Sequence, residues 1–439
     1  MKRRDFLKTG GGAFAIAAAG RALGANTPSN RVRLAMMGVG GRGFSVMESA
    51  MKVPGVEIAV VVDVDANRRE AAAAKVQTVS GRMPDLAKDI REVLKDRNID
   101  GIICCTPDHW HAPAAWMAMN AGKAVYVEKP CSFCPREGEI LVETQRRTGQ
   151  VFEMGNQRRA SLSYPKAIAA IQEGAIGEPR WGKCWYMSRR KPIGVGREVP
   201  APKWLDWEIW QGPAPRTAFK DNIVPYKWHW FRRWGTGEAG NNSPHFLDVM
   251  RWAMGLGFPE RVTAGGGRLF YSGDDWAWPD TMNVTYEFPG RKCVTWEGIS
   301  CVNARGCEGM PTGCMVYGLK GCVLFTPYDT AVLFDADGKE QKRWEADGSE
   351  AKVGSLTNPA ANLTELHLAK YVNCIREHDA NTNAPAPEAH ASTILAHLAN
   401  ISALTGETIR LDPVTGKLAN GSAGADLWAR EYEKGWEMS

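Results

Sequence analysis

Gly38-Val39-Gly40-Gly41-Arg42-Gly43 spaces glycines as GxGxxG directly after the apolar run VRLAMM. A glycine at the first position permits a tight turn. One at the third lets backbone N–H groups approach a pyrophosphate, and one at the sixth lets a helix pack closely on a strand. The helix that follows would present its positive end to the phosphates. Asp63 stands twenty-five residues after Gly38, at the end of a second β-branched run, VEIAVVVDVD. A carboxylate there accepts hydrogen bonds from adenosine ribose hydroxyls and repels a 2′-phosphate, which favours NAD over NADP. Arg68 is the nearby cation that could reach a phosphate instead.

Other residues with chemical potential are less tightly patterned. Cys131 and Cys134 form a CxxC, read as a redox pair or half of a metal site. No second CxxC and no suitable histidine spacing accompany them, so no metal is expected. Cys104-Cys105 lies in an apolar run and reads as core. Six tryptophans, at 204, 207, 210, 228, 230 and 234, fall within thirty-one residues, mixed with Lys227, His229, Arg232 and Arg233. Aromatic faces beside polar donors suit sugar rings. Most of the six are expected to pack, with one or two lining a site, and Trp230 is the candidate.

These residues need elements to hold them. Short β-branched or apolar runs (VRLAMM, VEIAVVV, DGIICC, KAVYVE) alternate with predicted helices at 66–80, 112–121 and 135–148. This is the pattern of a doubly wound parallel sheet. After about residue 155 the chain changes. RWGKCWYMS, RVTAGGGRLFY, MNVTYEFPG, CVTWEGIS, GCMVYGLKGCVLFTP and TAVLFDADGK are strand-like and separated by glycine turns. Helices are predicted only at about 165–173, 244–254, 363–377 and 388–406. The fold class is therefore α/β. A Rossmann domain over 31–155 is followed over 156–410 by an α+β domain with a mainly antiparallel, open-faced sheet, and by a tail over 411–439.

The chain has 439 residues, 44% hydrophobic and 23% charged, with net charge +5. It reads as globular. Residues 1–25 read as a signal peptide: RRDFLK, the apolar run GGGAFAIAAAG, then RALGAN with small residues suited to cleavage. The twin arginines point to the route that exports folded proteins, and so to a periplasmic or otherwise exported protein that meets the twin-arginine machinery. That segment carries most of the excess positive charge, and the remainder holds no Lys/Arg cluster, so no nucleic acid is expected as partner. No later stretch is long enough to span a membrane.

CTPDHWHAPAAWMAMNAGKAVYVEKP and GNNSPHFLDVMRW carry a family resemblance. Together with the glycine turn they resemble the glucose–fructose oxidoreductase, inositol dehydrogenase and rhizopine-catabolism group, the Gfo/Idh/MocA family, from about Val32 to about residue 410. LDWEIWQGPAP at 205–215 resembles exported members. The resemblance implies a cofactor site built from Gly38, Gly40, Gly41, Arg42, Gly43, Asp63, Thr106, Pro107, His111, Glu128 and Lys129. It implies Lys129 and His245 as catalytic groups. A desolvated lysine can hydrogen-bond the reacting oxygen, and an imidazole can take the alcohol proton as hydride leaves carbon. Gln157, Arg158, Tyr164, Asn241 and Asp248 join Trp230 as substrate-site candidates. Tyr164 either contacts substrate or packs, and Asp248 lies one helical turn after His245. His109 and His111 are expected to hold backbone near the cofactor turn. Many family dehydrogenases carry an aspartate where this chain has Asn241. An amide cannot relay a proton, which puts a lysine–aspartate–histidine relay in doubt.

The expected protein is an exported oxidoreductase with tightly bound NAD, moving hydride to or from a secondary alcohol of a sugar or polyol. A homodimer or homotetramer is implied by the resemblance. Two rivals stand beside this reading. One is a redox-neutral NAD-dependent glycosidase working by oxidation, elimination, hydration and reduction. The other is a non-catalytic sugar-binding protein.

Overall fold

A computed structural model describes residues 30–302, 306–346, 353–355, 358–360 and 362–439. The proposed signal peptide lies outside the described residues. The first sheet holds β1 (Val32–Met37), β2 (Val56–Val62), β3 (Asp85–Ala87), β4 (Gly101–Cys104), β5 (Ala124–Val127) and β6 (Phe152–Met154). Their spatial order is β3-β2-β1-β4-β5-β6, and every pairing is parallel. Helices α1 (Gly41–Ala50), α2 (Ala66–Ser80), α3 (Ile90–Val93), α4 (Asp108–Asn120) and α5 (Pro135–Thr148) connect them. The strands are apolar along their whole length because both faces are covered: one by α4 and α5, the other by α1 and α2. The chain order reverses beside β1, and the carboxyl ends of β1 and β4 open a crevice there.

α4 starts four residues before the predicted 112. Pro107 precedes it in extended conformation, so the helix opens at Asp108 and places Pro113 in its second turn. A proline there lacks the N–H that His109's carbonyl would receive. Buried Arg430, from the tail, supplies a donor instead, its Nη2 2.7 Å from that oxygen. Arg430 also pairs with buried Glu137 at 2.6 Å, so the tail is stapled to the Rossmann domain.

The second sheet contains β7 (Trp181–Met187), β8 (Arg261–Gly267), β9 (Thr281–Phe288), β10 (Lys292–Ile299), β11 (Thr312–Gly318), β12 (Gly321–Phe325), β13 (Thr330–Asp335) and β14 (Glu340–Glu345). A two-stranded ribbon, β15 (Val353–Ser355) and β16 (Asn358–Ala360), follows, and β17 (Ile409–Arg410) closes the edge beside β8. Among its pairings only β7–β10 is parallel; the rest are antiparallel. β8 stops at Gly267, short of the predicted RLFY. There the Asp280 carboxylate accepts the N–H groups of Leu269, Phe270 and Tyr271, and the chain leaves the sheet. One sheet face packs on α6 (Tyr164–Gln172), α9 (Pro244–Met254) and α11 (Ala386–Thr405). The short helices α7 (Trp207–Gln211) and α8 (Gly237–Asn242) carry no predicted counterpart, being too brief to show a helical period. α10 (Leu363–Glu377) returns to the first domain, where Tyr371 donates to the Ile102 carbonyl.

Candidate active site

The crevice at β1 and β4 widens into one cavity of about 1060 Å³, which runs from the glycine turn to α8 and α9. Gly38 begins it with φ +79°, a left-handed conformation, and a Cβ there would meet the Cys105 carbonyl carbon at 2.8 Å. Gly40, at the start of α1, lies under the Arg68 guanidinium, the flexible end of which a Cβ there would displace. No side chain caps α1's first turn, so its N–H groups suit a phosphate. Asp63 lines the cavity. Its two oxygens accept the Val39 and Asp65 N–H groups at 2.8 and 2.9 Å, which fixes the turn and leaves further lone pairs for a ligand. Burial raises its pKa, and the two N–H groups pull it back. Arg68 pairs with Asp65 at 3.3 Å at the same end.

At the other end Arg42 pairs with Glu128 at 2.9 Å, and both line the cavity with Gly41, Gly43, Thr106 and Pro107. His111 also lines it, but both ring nitrogens face backbone carbonyls, Pro130 at 2.6 Å and Thr106 at 2.8 Å. It therefore shapes the wall by tying two loops together.

Lys129 Nζ donates to the Asn241 carbonyl at 2.6 Å and to its side-chain oxygen at 3.1 Å. Burial lowers the lysine's pKa, while the Glu128 and Asp108 carboxylates raise it again. His245 is 7% exposed. Both its nitrogens are buried without a protein partner among the described residues. Burial first, then the charges of Lys129, Arg158 and Arg42, drives its pKa well below the ordinary range. A neutral, unpartnered imidazole beside a lysine is costly unless a ligand completes its hydrogen bonds. Gln157 and Asn241 line the same space.

Four candidates do not line the cavity. Tyr164 is fully buried and donates to the Thr326 carbonyl. The Arg158 guanidinium lies 4.2 Å from the Phe246 ring centre. Asp248 accepts two bonds from Arg159 Nε and another from Ser392, so it braces α9 rather than orienting His245. Trp230 is buried against Trp276 and donates to Glu238. Of the six tryptophans, Trp204, Trp210 and Trp228 line the cavity. Cys131 and Cys134 are free, buried thiols, each pushed up to about 12 by desolvation. They are inert thiols, and no group of three metal-binding side chains occurs among the described residues.

Among the lining residues without a sequence-based assignment are two with titratable side chains near the Lys129 end. Asp108, buried on α4, accepts from the Thr236 N–H and hydroxyl at 2.9 and 2.6 Å and lies within electrostatic range of Lys129. His229 stands in the tryptophan-rich segment. The signal for Asp108 was its place directly after the strand-ending TP.

The same segment closes the nucleotide end. Leu205 bridges to Asp65, Ala66 donates to the Trp204 carbonyl at 2.9 Å, and Asp206 donates to the Val64 carbonyl at 3.0 Å. His109 fixes the far side through its ring nitrogens, 2.9 and 3.2 Å from the Trp210 and Trp234 carbonyls. Residues 199–234 thus form a strap across the groove.

A parallel sheet with a glycine turn at its switch point, facing a second sheet across the cleft, defines a Rossmann-type, dinucleotide-dependent class of protein. Residues 32–156 match the Gfo/Idh/MocA model, an oxidoreductase family with an NAD-binding Rossmann fold. The match covers the six-stranded parallel sheet and the glycine turn described above. The chain is 30% identical over 164 residues to scyllo-inositol 2-dehydrogenase (NAD(+)) of Bacillus subtilis, covering 37% of this chain and 46% of that protein. It is 30% identical over 179 residues to a glycosyl hydrolase family 109 protein of Saccharopolyspora erythraea, covering 39% of each. The chain spans about half the length of the curated relatives it matches. Levoglucosan dehydrogenase, solved with NADH and levoglucosan, superposes over 87% of this chain and 99% of its own, with TM-score 0.65 and 16% identity. That likeness extends the shared fold to the second domain.

Proposed function

We propose that this protein is an NAD-dependent oxidoreductase acting on a secondary alcohol of a sugar or polyol. The observation that carries the proposal is the unpartnered, neutral His245 beside Lys129, in one cavity with the glycine turn. The glycine turn, α1's first turn and Asp63 fit a dinucleotide. NAD bound there supplies a hydride acceptor. His245 takes the alcohol proton; with its pKa lowered it is unprotonated and ready at neutral pH. Lys129, anchored on Asn241, holds the reacting oxygen by a charged hydrogen bond. The inositol and levoglucosan dehydrogenases support a polyhydroxylated substrate.

The strap supports tight retention of NAD, since residues 204–206 are held by backbone hydrogen bonds to the loop after β2 at the nucleotide end. Tight retention fits the RRDFLK stretch: a chain that folds around NAD and is then exported keeps its cofactor. Export by the twin-arginine route is part of this proposal. So is self-association, for which the exposed Trp181, stacked on Tyr317 at 5.0 Å, offers a contact. A redox-neutral glycosidase is the second reading, supported by the family 109 relatives.

Mass spectrometry of nucleotide released on denaturing the purified protein, with a screen of sugars and polyols for bleaching or growth of the nicotinamide absorbance, tests the proposal. About one NAD(H) per chain and a sugar-dependent absorbance change are expected. Protein without nucleotide that stays inert with added NAD and every sugar overturns it.

A further inference from the structure

The strap is fastened at two places, and the second fastening belongs to the tail. At the first, residues 204–206 pair with the loop after β2. At the second, the Pro213 carbonyl accepts the Glu433 N–H at 3.0 Å, and the Glu433 carboxylate accepts the Arg216 N–H at 3.1 Å. Arg216 closes that turn on itself, donating from Nη1 to the Gly212 and Ala214 carbonyls at 2.7 and 2.8 Å. Glu433 therefore grips a turn closed by its own hydrogen bonds, directly after α7, whose Trp210 lines the cavity. The tail's own anchors lie on the Rossmann wall. The Trp428 carbonyl accepts the Arg136 N–H at 2.9 Å, a first-turn donor of α5, which no side chain caps. Tyr432 donates to buried Glu137 at 2.8 Å, beside the Arg430 pair. The Trp436 ring stands edge-on to cavity-lining Trp110, with centres 5.1 Å apart, and the Arg91 guanidinium lies 4.4 Å from the Trp436 ring centre. Met438 is buried in the same core as α4 and α5.

The two sides of this bridge are unequal. Toward α4 and α5 the tail has a buried ion pair, bonds to both helices and the packing of Trp436 and Met438. Toward the strap it has the two bonds of Glu433. The junction with fewer buried contacts opens first. Resting on the reading of the groove as an NAD site, we propose that residues 428–438 are a latch for the strap, with Glu433 as the positioning residue that fastens it. The strap opens when Glu433 releases residues 213–216, while the tail stays on α4 and α5. Such a latch stabilises the closed strap whether the groove is filled or empty. It therefore slows capture and release of the dinucleotide alike and leaves the affinity nearly unchanged, because only a difference between the two states moves a binding equilibrium.

The test loads the full chain with NADH, mixes it with excess NAD and follows the decay of energy transfer from tryptophan to bound NADH. Capture is followed by the same signal when NADH is added to protein stripped of nucleotide. Glu433→Ala is expected to speed release and capture together by about tenfold, the effect of losing one hydrogen bond to a charged acceptor. Its Kd should stay within about threefold of wild type. Glu433→Gln keeps an oxygen that accepts from Arg216, so both its rates should lie within about threefold of wild type. Hydrogen exchange in Glu433→Ala should quicken over residues 204–217 and stay unchanged over α4, α5 and the six-stranded sheet. Wild-type rates in Glu433→Ala overturn the proposal. Faster release with unchanged capture also overturns it, since Glu433 would then act only on the filled groove. Exchange quickened throughout the chain overturns it as well, because that marks a general loss of fold. Wild-type protein that neither carries nor captures NADH overturns the cofactor reading, and the latch falls with it.

Discussion

Lys129 and His245 stand in different environments, which suit them to different parts of the proposed reaction. Lys129 keeps two acceptors on Asn241, whereas His245 keeps none. Lys129→Ala and His245→Ala should each lower kcat/KM by about 10²–10⁴-fold, the range for a positioned proton-transfer group. Near wild-type turnover of an identified substrate in both variants would reject the site. Asn241→Asp offers a finer reading. A carboxylate 3 Å or so from Nζ in place of the amide favours the charged lysine and raises its pKa. The basic limb of the kcat/KM profile should move to higher pH, and an unmoved limb would mean that Lys129 does not set it. Both principal groups were legible because each sits in a short, specific motif. Tyr164, Arg158 and Asp248 were harder: nearness in sequence does not say which face of a turn or helix meets the cleft. Arg159, next to Arg158, turns instead to Asp248. His229 was hidden among tryptophans in a single turn with no periodicity to place it.

At the scale of elements, the alternation of apolar runs and helices revealed the parallel sheet, since strands covered on both faces are apolar throughout. The second sheet was legible strand by strand from its glycine turns. Its edge strand β14 is exposed and charged except for buried Trp344, too little to mark a strand by alternation. The strap was legible only as a composition, because its hold depends on backbone pairing with Val64–Ala66 and on the carbonyls taken by His109. Gly212 tests that hold. It follows α7 at φ +47°, and a Cβ there would enter the Trp110 indole, which itself donates to the Trp210 carbonyl. Gly212→Ala therefore strains the strap where it meets α4. Left-handed backbone costs an alanine about 1–2 kcal/mol, equivalent to roughly tenfold faster release of NAD. Dialysis followed by nucleotide assay measures it. Retention equal to wild type would mean that the strap does not gate the cofactor.

Over the whole molecule, burial keeps several histidines in the neutral form, and this shapes how the fold meets acid. Burial lowers His109 and His397 to about 3 and His367 and His390 to about 4, against about 6.5 for an exposed imidazole. Between those values the unfolded chain binds protons that the fold refuses, so these groups make stability fall as pH falls from about 6.5. Buried Asp63, Asp108 and Glu153, with raised pKa values, act in the opposite sense. The slope of the whole protein mixes both, so a single histidine is the cleaner probe. His390, on α11, packs against α5 with Nδ1 unpartnered among the described residues; a Cβ on Gly138 would strike its ring, and Glu139 and Arg251 are the charges that act on it. Unlike the ring it replaces, the amide in His390→Gln cannot titrate. The variant should be less stable than wild type at pH 8, where only packing differs. Its deficit should shrink by up to about 1.4 kcal/mol for each pH unit below 6.5, until the folded pKa near 4 is reached. Urea midpoints measured from pH 8 to pH 4.5 test this. Curves that stay parallel across the range would show that His390 keeps the same protonation folded and unfolded.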